Sequence, residues 1–135
     1  MGIKRDAADA AFSDAVRYSK NYTCEHCNIS GGKRNSGLPN MELAHIYGRR
    51  HKSIRWDTLN GLCLCSTCHQ MFTESPVTFT RWLEGYVGTG YLDILTEKRN
   101  TIFKTNKAMR ACIAKHYRQE LRNMEAGPHD LVSYQ

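Results

Sequence analysis

At 135 residues, 41% of them hydrophobic, the chain has material for one modest core but not for two independent ones, which argues for a single small domain with extensions. A formal net charge of +6 and an isoelectric point near 9.1 favour a polyanionic partner, nucleic acid first. Without a run of 18 or more apolar residues, and with a charged, Ala-rich segment from Met1 to Asp9, the chain reads as cytoplasmic with no membrane partner, and its six cysteines read as metal ligands before disulfides.

From Asp6 to about Lys20, Ala8, Ala11, Phe12, Ala15 and Val16 recur at helical spacing, so residues 1–21 are expected to be a helical lead-in. Residues 30–40 collect turn formers and predict a flexible loop that could lie close to a ligand; a short strand follows around Met41 to Ile46. Gly48 to Lys52 is a basic turn. Leu59 to Leu64 is a second apolar stretch that could pair with the first strand or lead into a helix starting near Ser66. Pro76 ends that helical piece, Thr78 to Tyr86 starts another, and Gly88-Thr89-Gly90 breaks it. From Thr96 to about Glu125, Ile102, Phe103, Met109, Ile113, Tyr117, Leu121 and Met124 recur at three- and four-residue intervals and predict one long helix ended by Gly127-Pro128.

Cys24-Glu25-His26-Cys27 and Cys65-Ser66-Thr67-Cys68 are two C-x2-C pairs. Each places two thiolates on one tetrahedral Zn²⁺ from a tight turn, and together they make one closed structural site. A set in which Cys63 replaces Cys65 needs a wider, less regular knuckle. Cys63 is otherwise read as a packed strand residue, Cys112 as an ordinarily packed helix residue, and His26 as a solvent-facing turn residue.

Cys24-x2-Cys27, Leu43-Ala44-His45-Ile46, Asn60, then Leu64-Cys65-x2-Cys68-His69 resembles the zinc-containing HNH (ββα-metal) endonucleases over roughly residues 22–75. The flanking Arg55-Trp56-Asp57 and Phe72-Thr73-x2-Pro76 look like phage-encoded members of the recombination and DNA-processing type, which would place the protein in a host cytoplasm. The resemblance implies an α+β fold. A small ββα-metal core over residues 22–90 would be stapled by the zinc site and flanked by the N-terminal helix and a basic helical extension over 91–135. It also implies roles for single residues: His45 as general base, Asn60 as metal ligand through its side-chain oxygen or as an orienting residue through backbone bonds, and His69 as the final metal-binding histidine, with Mg²⁺ or Mn²⁺ as the catalytic ion. Phosphodiester hydrolysis needs an activated water, charge neutralisation and help for the leaving oxygen, and these residues divide that work. Most members carry Asp or His where this chain has Ala44. In an extended strand residue 42 projects on the same side as residue 44, so Glu42 is a candidate to reach the metal from two residues back.

Arg49, Arg50, His51, Lys52 and Arg55 are the expected phosphate-binding run after the base. Trp56 beside them is read as a packing anchor before a base-stacking residue. The basic residues of the C-terminal helix, among them Lys98, Arg99, Lys107 and Arg118, could extend the footprint along DNA, duplex or branched. That helix needs its apolar stripe covered, either by the zinc core or by the same helix in a homodimer. The leading expectation is a metal-dependent DNA endonuclease, nicking or structure-selective, with low sequence specificity. A catalytically inactive zinc module of the same fold that binds DNA or RNA is the alternative, and a protein-interaction zinc domain the third.

Overall fold

The computed structural model describes residues 3–135, so the first two residues of the N-terminal lead-in lie outside the described residues. Helix α1, Ala7–Ser19, begins at a reciprocal cap: the Asp6 carboxylate accepts from the Asp9 backbone N–H and the Asp9 carboxylate from that of Asp6, both at 2.9 Å. A long irregular segment with the first cysteine pair follows. Gly31 is required there, because a Cβ at this position would stand 2.1 Å from the Pro39 carbonyl oxygen. Strands β1, Met41–His45, and β2, Gly61–Cys65, pair antiparallel with Met41 opposite Cys65 and His45 opposite Gly61. The second apolar stretch therefore pairs with the first.

Helix α2, Ser66–Glu74, starts at the last residue of β2, with the Cys65 sulfur accepting from the Cys68 N–H as its cap. Pro76 then opens α3, Pro76–Val87, where its missing N–H and fixed φ are tolerated. Gly88, at φ 83°, turns the chain into α4, Thr89–Arg99. The last helix is α5, Lys107–Ala126. The predicted single helix over 96–125 is thus two helices separated by residues 100–106. Asn100 closes the first, and Asn106 opens the second by accepting from the Met109 N–H at 2.8 Å. Ile102, which continued the apolar periodicity, is 88% exposed, whereas its neighbour Phe103 packs inward.

Two apolar clusters meet at the sheet. One joins Cys24, Leu62, Leu64, Phe72 and Leu83 around the cysteine pairs. The other is built from the two ends of the chain: Ala8, Phe12 and Val16 of α1 pack on Ile113 and Tyr117 of α5 around Trp56, with Leu43 of β1 against them. The apolar stripe of α5 is therefore covered by α1 rather than by the cluster around the cysteine pairs. Trp56 is fully buried, a packing anchor as expected. The C-terminal segment straps the loop before β2: the Gln135 side chain accepts from the Trp56 N–H and donates to the Lys52 carbonyl, each at 2.7 Å.

Arg55 is corrected by its surroundings. It is 5% exposed, and its guanidinium donates to both Asp9 oxygens, at 2.9 and 2.6 Å, and to the Lys4 carbonyl at 3.1 Å. Burial alone would raise the Asp9 carboxyl, but Arg55 and the hydrogen bonds with Asp6 together outweigh it and hold the group below its ordinary value. A guanidinium with a desolvated carboxylate to neutralise is not free for phosphate. Arg55→Ala, which strands the buried Asp9 charge, is expected to cost about 3–5 kcal/mol in denaturant unfolding.

Candidate metal and active site

The first cysteine pair sits on a knuckle closed by the Cys24 N–H donating to the Ile29 carbonyl at 2.9 Å, with Asn28 at φ 65° where Asn is tolerated. The second pair spans the junction of β2 and α2. Together they bring the sulfurs of Cys24, Cys27, Cys65 and Cys68 within 4.8 Å of one another, the Cys27 and Cys65 sulfurs being 3.8 Å apart. A tetrahedron with Zn–S bonds of about 2.3 Å has an edge of about 3.8 Å, so the cluster has the size of a zinc site. Burial pushes the Cys65 and Cys68 thiols up. It would also raise Cys24, but backbone N–H groups of Cys27, Cys65 and His26 outweigh it and bring that thiol down to about 7. Four sulfurs that can meet around one dication fit a resident metal.

Cys63 is fully buried on β2 and lies outside the cluster; burial pushes its thiol up to about 12, in keeping with an inert packed residue. Two smaller expectations change. Cys112 is exposed on α5 rather than packed. His26 is not turned to solvent: its ring packs edge-on against Phe72 and Trp82, and its Nδ1 lies 3.2 Å from the Cys68 sulfur.

The second cysteine pair lies at the start of α2, and this sets His69 beside β1. Its Nδ1 is 2.8 Å from Glu42 Oε1. The other Glu42 oxygen accepts from Asn40 Nδ2 at 3.2 Å and from the Ser66 hydroxyl at 3.4 Å. Glu42 and His69, 27 positions apart, form a pair that leaves the histidine Nε2 for another partner. Ala44, on the same side of the strand, is buried. A carboxylate that fixes a histidine through one ring nitrogen is the usual support of a metal-bound imidazole.

His45 ends β1, near the Phe12 ring of α1. Its Nε2 is buried and has no hydrogen-bond partner. Burial is the main reason the imidazole is pulled down to about 4; Asp9 opposes the shift and Arg49 adds to it. The ring is therefore neutral at pH 7, with a lone pair available for a proton.

Asn60 is wholly buried. Its Oδ1 accepts from the Tyr47 N–H at 2.7 Å and its Nδ2 donates to the Tyr47 carbonyl at 2.8 Å. Both ends of the amide thus bond the turn after His45 to the start of β2, the arrangement expected of an orienting residue.

His45, Glu42 and His69 line one cleft of about 610 Å³, together with Arg5, Arg17, Arg34 and Arg49. Of the expected phosphate-binding run only Arg49 lies there. Arg50 and Lys52 are exposed outside it, and His51 packs edge-on against Tyr47, its Nε2 accepting from Arg50 at 3.3 Å. Sequence reasoning missed Arg5, Arg17 and Arg34. Arg17 lies on the inner side of α1 and donates to the Met41 carbonyl at 3.1 Å, which its place four residues after Ser13 could have suggested. Arg34 belongs to the loop expected to lie near a ligand. The α4–α5 cations are partly committed elsewhere: Lys98 pairs with Asp57, Arg99 lies 4.7 Å over the Tyr47 ring and Arg110 pairs with Asp6 at 3.5 Å.

Among known families, residues 27–80 match the model of the HNH endonucleases. That span is less than half of the chain. It contains Glu42, His45, Asn60 and His69 and leaves out α1 and α5. No curated protein and no solved structure matches the chain. Among the described residues no helix is long and apolar enough to cross a membrane.

Proposed function

We propose that the protein is a metal-dependent endonuclease that hydrolyses DNA phosphodiester bonds with low sequence specificity, by nicking or structure-selective cutting. The observation that carries this reading is that one arginine-lined cleft is walled both by His45, whose buried Nε2 has no hydrogen-bond partner, and by the Glu42–His69 pair. His45 takes the proton of the attacking water. His69, through Nε2, would hold Mg²⁺ or Mn²⁺ with Glu42 fixing its tautomer, and the ion when bound would neutralise phosphate charge and assist the leaving oxygen. Arg5 and Arg34, with Arg49 on its longer 3.8 Å pairing to Asp9, bind the flanking phosphates, while Arg17, bonded to Ser13, Asp14 and Met41, braces the cleft wall. The four cysteines hold a structural zinc that keeps His69 in place.

Supercoiled plasmid incubated with the zinc-loaded protein tests this. Conversion to open circles with added Mg²⁺ or Mn²⁺, and none without, is the expected result. Glu42→Gln weakens the acceptor for His69 Nδ1, so the divalent-ion concentration for half-maximal cleavage is expected to rise about 10- to 100-fold. Unchanged metal dependence would remove Glu42 from the site.

A second reading has its own observation. Ala44 offers no ligand and the Asn60 amide is wholly buried with both ends bonded to the Tyr47 backbone, so few protein donors remain for a catalytic ion. A zinc module that binds DNA or RNA without cutting it would bind plasmid and leave it intact under every metal tried.

A further inference from the structure

Beside the arginine cleft, a second cavity of about 220 Å³ opens against the same two histidines. Its remaining lining is almost wholly apolar: Ala44, Leu64, Phe72, Pro76 and Phe79, with the methyl-bearing Thr73. The rings of Phe72 and Phe79 pack on each other 5.0 Å apart at 42°, and both contribute to the aromatic part of the pocket lining. We infer that this pocket takes one unpaired nucleobase next to the phosphate held at His45 and His69, and that the substrate is therefore DNA with an unpaired nucleotide at the cut. The inference rests on the nuclease reading of the adjoining cleft.

The two cavities differ in chemistry but share a wall. Arginines on one side fix a polyanionic backbone, so what reaches the other side from a phosphate at the histidines is the attached sugar and base. The pocket is smaller than the roughly 300–1,000 Å³ of sites for drug-sized ligands, which suits one flat ring system rather than a whole nucleotide. Apolar and aromatic walls select for the face of a base, which every base offers, and not for a hydrogen-bonding edge; this agrees with the absence of any base-reading element among the described residues. A base inside a duplex is paired and stacked and must first be extruded. An already unpaired one enters without that cost, so bulges, gaps, flaps and single strands are favoured over intact duplex.

The absence of a carboxylate at position 44 is part of the same feature. An Asp or His there would project into this cavity and make it polar; Ala44 leaves it apolar and open.

The test is binding of the zinc-loaded chain, without added Mg²⁺ or Mn²⁺, to three oligonucleotide duplexes: fully paired, bearing one unpaired 2-aminopurine, and bearing an abasic site at that position. The unpaired base is expected to strengthen binding about tenfold or more over the abasic duplex, with its fluorescence quenched. Phe79→Ala removes part of the aromatic lining, and Thr73→Trp fills the pocket from an exposed position on α2 without touching the core. Both are expected to bring that ratio to about one while affinity for the abasic duplex stays within about twofold. Equal binding of the base-bearing and abasic duplexes, or a preference surviving in both variants, would overturn the pocket. Adding Mg²⁺ separates the two ideas: cleavage without base preference leaves the nuclease and removes the pocket, whereas base preference without cleavage under any metal leaves the pocket and removes the nuclease.

Discussion

Chelation of the zinc proposed at Cys24, Cys27, Cys65 and Cys68, or Cys68→Ser, is expected to unfold the sheet and α2 and to abolish cleavage even in saturating Mg²⁺. The reason is the weakness of everything else in that half. Its sheet has two strands of five residues each, and a two-stranded hairpin is at best marginal alone. The segment before it carries only isolated bridges, Thr23 with Ser30 and Gly32 with Asn40. Structural zinc sites contribute on the order of 10–16 kcal/mol in small peptides, comparable to the roughly 5–15 kcal/mol of net stability of a whole domain. The two tryptophans resolve where the damage falls. Trp82 lies against His26 and Phe72 beside the cysteines, and Trp56 is buried between α1 and α5. Fluorescence of a Trp56→Phe protein, which reports Trp82, should therefore respond to chelator at lower concentration than that of a Trp82→Phe protein. A thermal midpoint indifferent to chelation would mean that the cysteines hold no structural metal.

This division also explains what could be read from the sequence. The zinc cluster, the strand–strand–helix order and the neighbourhood of Glu42 and His69 were legible because each follows from short-range rules: paired spacings, strand alternation and a helix starting at a knuckle. Ala44 pointed to Glu42 for the same reason, although Glu42 meets His69 directly where metal ligation was expected. The α1–α5 contact was not legible. An apolar stripe says that a helix is covered, and nothing local says by which partner. Arg55 illustrates the same limit, since its partner Asp9 is 46 positions away and only that contact separates a buried ion pair from a phosphate-binding surface. The break between α4 and α5 was hidden by accidental periodicity through Ile102, while Asn100 and Asn106, both good capping residues, were the local signal available. Arg5 and Arg17 became part of the cleft only because α1 packs across the sheet. The second cluster thus brings to the site residues that the family-matched span does not contain.

His45→Ala is expected to lower cleavage about 10²- to 10⁴-fold and to leave DNA binding in place, because the arginines that hold the backbone are untouched. Its pH behaviour separates a general base from a packing residue. Burial pulls the folded imidazole to about 4, below the ordinary 6.5, so the unfolded chain is the better proton acceptor between those values. The stability that His45 contributes is therefore fully present above about pH 6.5 and is lost as pH falls towards 4. A shift of this size corresponds to about 3 kcal/mol. In the wild-type protein the activity limb set by His45 should lie near pH 4, leaving the base competent throughout the neutral range. Protons also compete for the zinc thiolates on the acid side, so the comparison with His45→Ala isolates the imidazole: unfolding free energy of the variant should vary less between pH 6.5 and 4 than that of the parent. A variant that loses cleavage yet keeps the parent's pH dependence would place the titration elsewhere. One that keeps cleavage would show that the unpartnered Nε2 takes no proton from water.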